Sequence, residues 1–162
     1  MDISIGKKVA ELALACGMEI LVSSHYSSPT HNVTFVDKDY LYKNCDFLSL
    51  HCMLNDTTQN MINADVLNLL KPTCYLINTA RAALVNKQDL MNALKNKIIA
   101  GAAIDGFWNE PPQHNDPLFS LENTIITPHV GWASHETRQL LLNKIAERIK
   151  KFLHGEKIHI LT

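Results

Sequence analysis

Short apolar runs bounded by turn residues alternate along this chain with segments patterned for helices, and that alternation restricts the fold more than any other feature. Asp46–His51, Cys74–Asn78, Ile98–Ile104 and Thr124–Ile126 read as strands buried on both faces of a parallel sheet. Ahead of them, Val9, Leu12, Ala13 and Cys16 fall at helical spacing, Gly17 is a helix stop, and Glu19–Ser23 and Val33–Val36 read as two further strands. Asp37, Asn63 and Asn86 stand where a helix needs an N-cap, and Val66, Leu67, Leu70 and then Leu90, Met91, Leu94 mark inner helix faces. A long helix opens near Ser134 and stops at Gly155; its stripe of Leu142, Ile145, Ile149, Phe152 and Leu153 reads as core or domain interface. The pattern predicts the α/β class, with one doubly wound parallel sheet.

Composition narrows what such a sheet could serve. The length of 162 residues and the apolar fraction of 46% suit one domain with a real core, and a net charge of −1 leaves no electrostatic footprint for nucleic acid. The basic stretch Arg148–Lys151 reads as the solvated, dipole-complementing end of the last helix. No apolar run reaches membrane-spanning length and no signal-peptide core is present, so a cytoplasmic protein without membrane contact is expected. Cys16, Cys45, Cys52 and Cys74 lie in or beside apolar segments without C-x-x-C spacing and read as buried reduced thiols; the eight histidines are scattered, and no metal is expected.

Three of the strand ends carry chemistry. Arg81 follows Tyr75–Ala80, Glu110 follows Ala103–Asn109, and His129 follows Ile125–Pro128. Ligands of open α/β sheets bind just outside the carboxyl ends of the strands, so a cation, an acid and an imidazole would converge on one crevice. That set can bind a carboxylate, protonate a carbonyl oxygen and keep the proton donor charged. Each residue alone has a bland reading: Arg81 as a surface cation, Asp105 as a turn cap, His129 as a loop histidine. Their order and common placement at strand ends favour a site. His25, His31, His114, His135, His154 and His159 read as exposed polar residues, and Phe107 and Trp108 as packing beneath the loop.

These segments resemble the D-isomer-specific 2-hydroxyacid dehydrogenases over Ile5 to about Gly155. The family's motifs are matched in order by Ile5-Gly6, Leu50-His51, Asn78-Thr-Ala-Arg-Ala82, Asp105-Gly-Phe-Trp-Asn-Glu-Pro111 and Thr127-Pro-His129, and Trp132 is similar to the glycerate dehydrogenase and hydroxypyruvate reductase branch. The resemblance implies a Rossmann-like NAD-binding domain over 1–155 with a short tail over 156–162. It also implies hydride transfer between NAD, or NADP, and a small 2-hydroxy or 2-oxo acid such as glycerate, hydroxypyruvate or glyoxylate. His129 would exchange a proton with the substrate oxygen, Glu110 would orient the ring and favour imidazolium, and Arg81 would hold the carboxylate and polarise the carbonyl. Asp105 would meet the nicotinamide carboxamide, Thr79 and His51 match cofactor-contacting positions, and Thr57 matches a phosphate contact. The helix start at Ser4, Ile5 and Gly6 would face the pyrophosphate, and a homodimer is open.

Departures from the family pattern shape the alternative. Its first two fingerprint glycines align with Met1 and Ile3, and its ribose-binding acid aligns with Ser24, with no Lys or Arg nearby to attract a 2′-phosphate. Met53 and Ala82 replace a family proline and glycine. The first strand and the N-terminal substrate domain are expected to be missing, which would leave neighbouring strand edges unpaired. A catalytically inactive, truncated remnant, or a nucleotide-sensing binding module akin to the C-terminal binding protein corepressors, therefore stands beside the enzyme reading.

Overall fold

The computed structural model of the protein describes residues 4–24 and 32–156. His25, His31 and His159 lie outside the described residues, as do most of the expected tail and the side chain of Ser4. The contacts divide the chain after Pro128 into two compact units.

In the first unit, α1 (Ser4–Ala15) leads to the two-residue strands β1 (Leu21–Val22) and β2 (Thr34–Phe35), which pair in parallel. Next come α2 (Lys38–Asn44), β3 (Phe47–Leu50), α3 (Ala64–Leu69), β4 (Tyr75–Asn78), α4 (Lys87–Lys95), β5 (Gly101–Asp105) and β6 (Thr124–Thr127). Strands β3 to β6 pair in sequence order, all parallel. The expected helix caps form as hydrogen bonds. Asp37 accepts from the Tyr40 N–H at 2.7 Å, Asn63 from Val66 at 3.1 Å and Asn86 from Asp89 at 3.1 Å. The Asp89 carboxylate, inside the first turn of α4, also accepts the Ala64 N–H at 3.0 Å, which ties the start of α3 to α4.

Hydrophobic burial concentrates between the four-stranded sheet and helices α3 and α4. Leu76 of β4, Ile104 of β5, Leu67 of α3 and Leu90 and Leu94 of α4 join Ile62, Leu84, Ile99 and Leu118 in one core. Packing at the amino end of the sheet is tight. Phe47 and Tyr75 stack with ring centroids 5.8 Å apart, and a Cβ on Gly101 would lie 3.1 Å from the Tyr75 ring and 2.8 Å from the Asn123 carbonyl oxygen. Only glycine fits there without displacing backbone.

Several elements differ from the sequence reading. The hydrogen-bonded strands form two sheets, β2-β1 and β3-β4-β5-β6, and β1 does not pair with β3 among the described residues. Within each sheet the strands are parallel, as the doubly wound reading expects. The strand expected from Ile98 begins only at Gly101, because Lys97 takes a left-handed φ of 53° and closes a turn off α4. The loop after β5 contains a 3-10 turn, Pro117–Ser120, capped by Asp116. Cys16 is exposed at the end of α1, not buried, and Cys45 and Cys52 are only half-buried.

The second unit begins at His129, and its helix α5 (His135–Leu153) is capped by Ser134, which accepts the Thr137 N–H at 3.1 Å. None of its residues is buried, so the stripe from Leu142 to Leu153 is not core. Helical periodicity marks an apolar face and does not specify what covers it.

A contrast on the sheet tests this account. Leu76→Ala removes a side chain that is 0% exposed and is expected to cost about 2–5 kcal/mol in urea unfolding. Ile125→Ala, on β6 at 69% exposure, is expected to change stability by less than about 0.5 kcal/mol.

Candidate functional site

Register aligns the strand ends. Leu50 pairs with Asn78, Asn78 with Ile104 and Ile104 with Ile126, so these four form one row across the sheet. One step towards the carboxyl ends, the chain positions are His51, Thr79, Asp105 and Thr127, and Asp105 and Thr127 are themselves register partners. Three residues singled out from sequence as cofactor contacts, His51, Thr79 and Asp105, thus share a single level. Asp105 accepts a hydrogen bond from the Thr127 hydroxyl at 2.7 Å, which fixes its carboxylate at the sheet edge.

His51 is half-buried and shares a 2.9 Å hydrogen bond between its Nε2 and the Ser49 hydroxyl. Burial lowers its pKa below that of an exposed imidazole, so the neutral ring is favoured. The start of α1 sits against this ring: a Cβ on Gly6 would lie 3.3 Å from the His51 Cβ. Among the described residues the first turn of α1 carries no acidic side chain, and Ile5 is exposed there. Past His51, Asn55 Oδ1 accepts from the Thr57 N–H at 2.9 Å and from the Thr57 hydroxyl at 2.8 Å, which holds Thr57 in a compact polar turn. Ser24 is exposed and follows β1.

Asn78 shapes the turn that presents Arg81. It is the buried polar residue of the described core, at 1% exposure, and its side chain is spent on backbone. Its Oδ1 accepts the Ala80 N–H at 3.1 Å and its Nδ2 donates to the Arg81 carbonyl at 2.8 Å. Beyond it, the 3-10 turn Ala82–Leu84 is pinned from the side, with Asn60 N–H donating to Ala83 and Ile62 N–H to Leu84. The Arg81 guanidinium is exposed and donates to the Ala80 carbonyl at 2.9 Å.

Glu110 lies in the loop between β5 and β6, where one carboxylate oxygen accepts the Phe107 N–H at 3.1 Å. That loop is anchored on both sides. Trp108 Nε1 donates to the Val85 carbonyl at 2.8 Å, and Lys87 Nζ sits 5.8 Å from the centroid of the Trp108 ring while pairing with Asp116. Burial would raise the Asp116 pKa, but hydrogen bonds from Lys87 and the Leu118 N–H outweigh it and hold the carboxyl below the usual range. Phe107 meets Phe119 edge-on at 5.7 Å. Phe107 and Trp108 therefore pack beneath the loop, as expected.

His129 opens the second unit with a left-handed φ of 56°, followed by a turn in which Ala133 N–H donates to Val130 at 2.9 Å. Among the described residues no group of three or more His, Cys, Asp or Glu could hold a metal, and no helix is long and apolar enough to cross a membrane. Sequence reasoning passed over Asn78 and the Lys87–Trp108–Asp116 anchor. The first had a signal, an amide ending an apolar strand; the second joins residues far apart in sequence.

Residues 4–131 match the family described as "D-isomer specific 2-hydroxyacid dehydrogenase, NAD binding domain". The chain is 39% identical over 156 residues to a glyoxylate reductase of Thermococcus litoralis, covering 94% of this chain and 47% of that protein. It superposes with a TM-score of 0.86 and 30% identity on an acyclic imino acid reductase in complex with NADPH and D-Arg, over 99% of this chain and 52% of that one. The NAD-complexed D-isomer specific 2-hydroxyacid dehydrogenase of Lactobacillus delbrueckii ssp. bulgaricus gives a TM-score of 0.85 at 28% identity, over 96% and 51%. The chain spans about half the length of the curated relatives it matches.

Two measurements test the local geometry. Asn78→Ala leaves the Ala80 N–H and the Arg81 carbonyl without their side-chain partner and is expected to cost about 1–3 kcal/mol in urea unfolding. A loss well below that range would mean that the turn stands without the amide. For His51 the folded pKa is depressed, so the unfolded chain binds the proton more readily and stability falls as pH drops below the ordinary histidine range. The His51 resonances should titrate below those of an exposed histidine, and His51→Asn should flatten this part of the stability profile.

Proposed function

The chain belongs to the D-isomer specific 2-hydroxyacid dehydrogenases through their NAD-binding domain, and from that premise we propose that it is the nucleotide-binding half of an oxidoreductase interconverting a small 2-hydroxy acid and its 2-oxo acid. Glyoxylate or hydroxypyruvate is the assigned 2-oxo acid, in keeping with the names of the curated relatives. The observation that carries this reading is the common level of His51, Thr79 and Asp105 at the strand carboxyl ends, with Gly6 closing against His51.

Residues on hand suit a dinucleotide. Gly6 lets the helix start approach His51 closely, since a Cβ there would press on the His51 side chain at 3.3 Å, and the first turn of α1 offers backbone N–H groups to a phosphate. The nicotinamide, when bound, supplies or accepts the hydride. We assign Asp105 to the carboxamide, Thr57 with Ser4 and Ile5 to the phosphate region, and His51 and Thr79 to contacts along the sheet edge. NAD is the assigned cofactor; Ser24 brings no carboxylate against a 2′-phosphate, which leaves NADP open.

The same reading gives the acid–base groups their work. Arg81, whose backbone Asn78 fixes, binds the substrate carboxylate and polarises the neighbouring carbonyl. We assign His129 to give a proton to the carbonyl oxygen in reduction and take it back in oxidation, and Glu110 as the accompanying acid. A second reading, nucleotide binding without turnover, draws on the chain's spanning about half the length of its curated relatives.

Fluorescence titration with NADH and NADPH separates these. Saturable binding is expected, and its absence in a folded chain would overturn nucleotide binding in both readings. Binding without oxidation of NADH by glyoxylate or hydroxypyruvate would favour the second. Where turnover is measured, in this chain or in a longer protein containing it, His129→Ala should lower kcat by about 10²–10⁴-fold. Arg81→Gln should chiefly raise KM for the 2-oxo acid. Near wild-type turnover in the His129 variant would remove that residue from the mechanism.

A further inference from the structure

Cys45 and Cys74 lie far apart in sequence, yet their sulfurs are 4.0 Å apart. Cys45 ends α2 and leads into β3, while Cys74 immediately precedes β4. The sheet itself brings them together. Phe47 pairs with Tyr75, and the Tyr75 N–H donates to the Asp46 carbonyl at 3.0 Å, so both thiols stand at the amino edge of two neighbouring strands. Continued by one residue, the register sets Asp46 beside Cys74, so Cys45 lies diagonal to it, and the sulfurs must close from 4.0 Å to about 2.05 Å to form a disulfide.

We propose that Cys45 and Cys74 form an oxidisable dithiol, a modification site that takes a small peroxide as oxidant and closes to an intramolecular disulfide. The two thiols are not equivalent. Cys74 is 0% exposed and Cys45 half-buried, which places the first encounter at Cys45. The hydrogen bond from the Cys74 thiol and, more weakly, the Lys71 ammonium lower the Cys45 pKa against the opposing effect of burial, whereas donation to Cys45 and burial raise that of Cys74. Lys71 is held near by its 3.0 Å pair with Asp46.

In the first step the Cys45 thiolate attacks one peroxide oxygen. An S–O bond forms, the O–O bond breaks, and hydroxide leaves to collect a proton as water, giving a sulfenic acid. In the second, the Cys74 sulfur attacks the Cys45 sulfur. An S–S bond forms, the S–O bond breaks, and the departing hydroxide takes the Cys74 proton as a second water. Two thiols and one peroxide become one disulfide and two waters, the sulfurs supplying both electrons. The remaining thiols have other surroundings: Cys16 is exposed on α1, and the thiol of Cys52 faces the Met61 sulfur at 3.6 Å.

The full chain, treated with stoichiometric hydrogen peroxide, alkylated and digested without reduction, tests this. The expected product is a cross-linked peptide pair containing Cys45 and Cys74 that has lost two hydrogens, with titratable thiols falling from four to two in a Cys-reactive assay and returning on treatment with dithiothreitol. Cys74→Ser should halt oxidation at a Cys45 sulfenic acid that dimedone captures, and the wild-type peptide map decides the matter should that variant not fold. Oxidation confined to Cys16, further oxidation of Cys45 without cross-linking, or intermolecular disulfides alone would overturn the proposal.

Discussion

The residue-for-residue pairing of four parallel strands is the constraint on which the rest of the described structure depends. Because Leu50, Asn78, Ile104 and Ile126 occupy one row, the strands reach their carboxyl ends together, and whatever follows each strand is delivered to one edge. A slip of one residue in any strand would invert its faces, sending core side chains such as Leu76 or Ile104 out of the interior. Hydrophobic burial therefore enforces the register, and the register places His51, Thr79 and Asp105 at a common level. Stability and candidate function are specified by the same choice of faces.

Asn78 is where those two demands meet. An amide in an otherwise apolar row is costly to bury unless its polar atoms are satisfied, and here the turn leading to Arg81 satisfies them, one N–H accepted and one carbonyl served. The turn in its turn lacks regular sheet partners and takes its shape from the amide and from Asn60 and Ile62 alongside. The cost of burying the group and the disorder of an unsupported loop cancel against each other. An exposed cation, Arg81, can thus be carried on a segment whose backbone is fixed from below.

Local rules made much of this legible in the sequence. Asp37, Asn63, Asn86 and Ser134 cap helices as their types require, because a cap depends on residues three positions apart. The strands were visible as apolar runs, and their order at the βα period gave the parallel topology. What escaped depends on distant partners. Gly101 gives no hint in sequence that Asn123 and Tyr75 crowd it, and Cys45 gives none that the Cys74 sulfur lies 4.0 Å from its own. The stripe of α5 reads from its period as core or domain interface, and of these the structure overturns core, since periodicity carries no information about the surface a face meets.

The two ways of holding polar residues divide the candidate site. His51 and Asp105 sit at strand ends and inherit the rigidity of the sheet, and each has a short-range partner, Ser49 or Thr127, that helps set its side chain. Glu110 is carried by a long connection that the sheet cannot fix, and the fold compensates with anchors of different kinds. An indole N–H meets a backbone carbonyl, a lysine bridges the indole face and a mostly buried carboxylate, and an aromatic pair closes the span. Each contact alone would be worth about 1 kcal/mol. Together they constrain the loop at several points, so the entropy of ordering it is met by contacts that share the same few side chains. Lys87 and Asp116 act on the loop through the position they give Trp108, and their distance from one another in sequence is the reason no motif announces the contact.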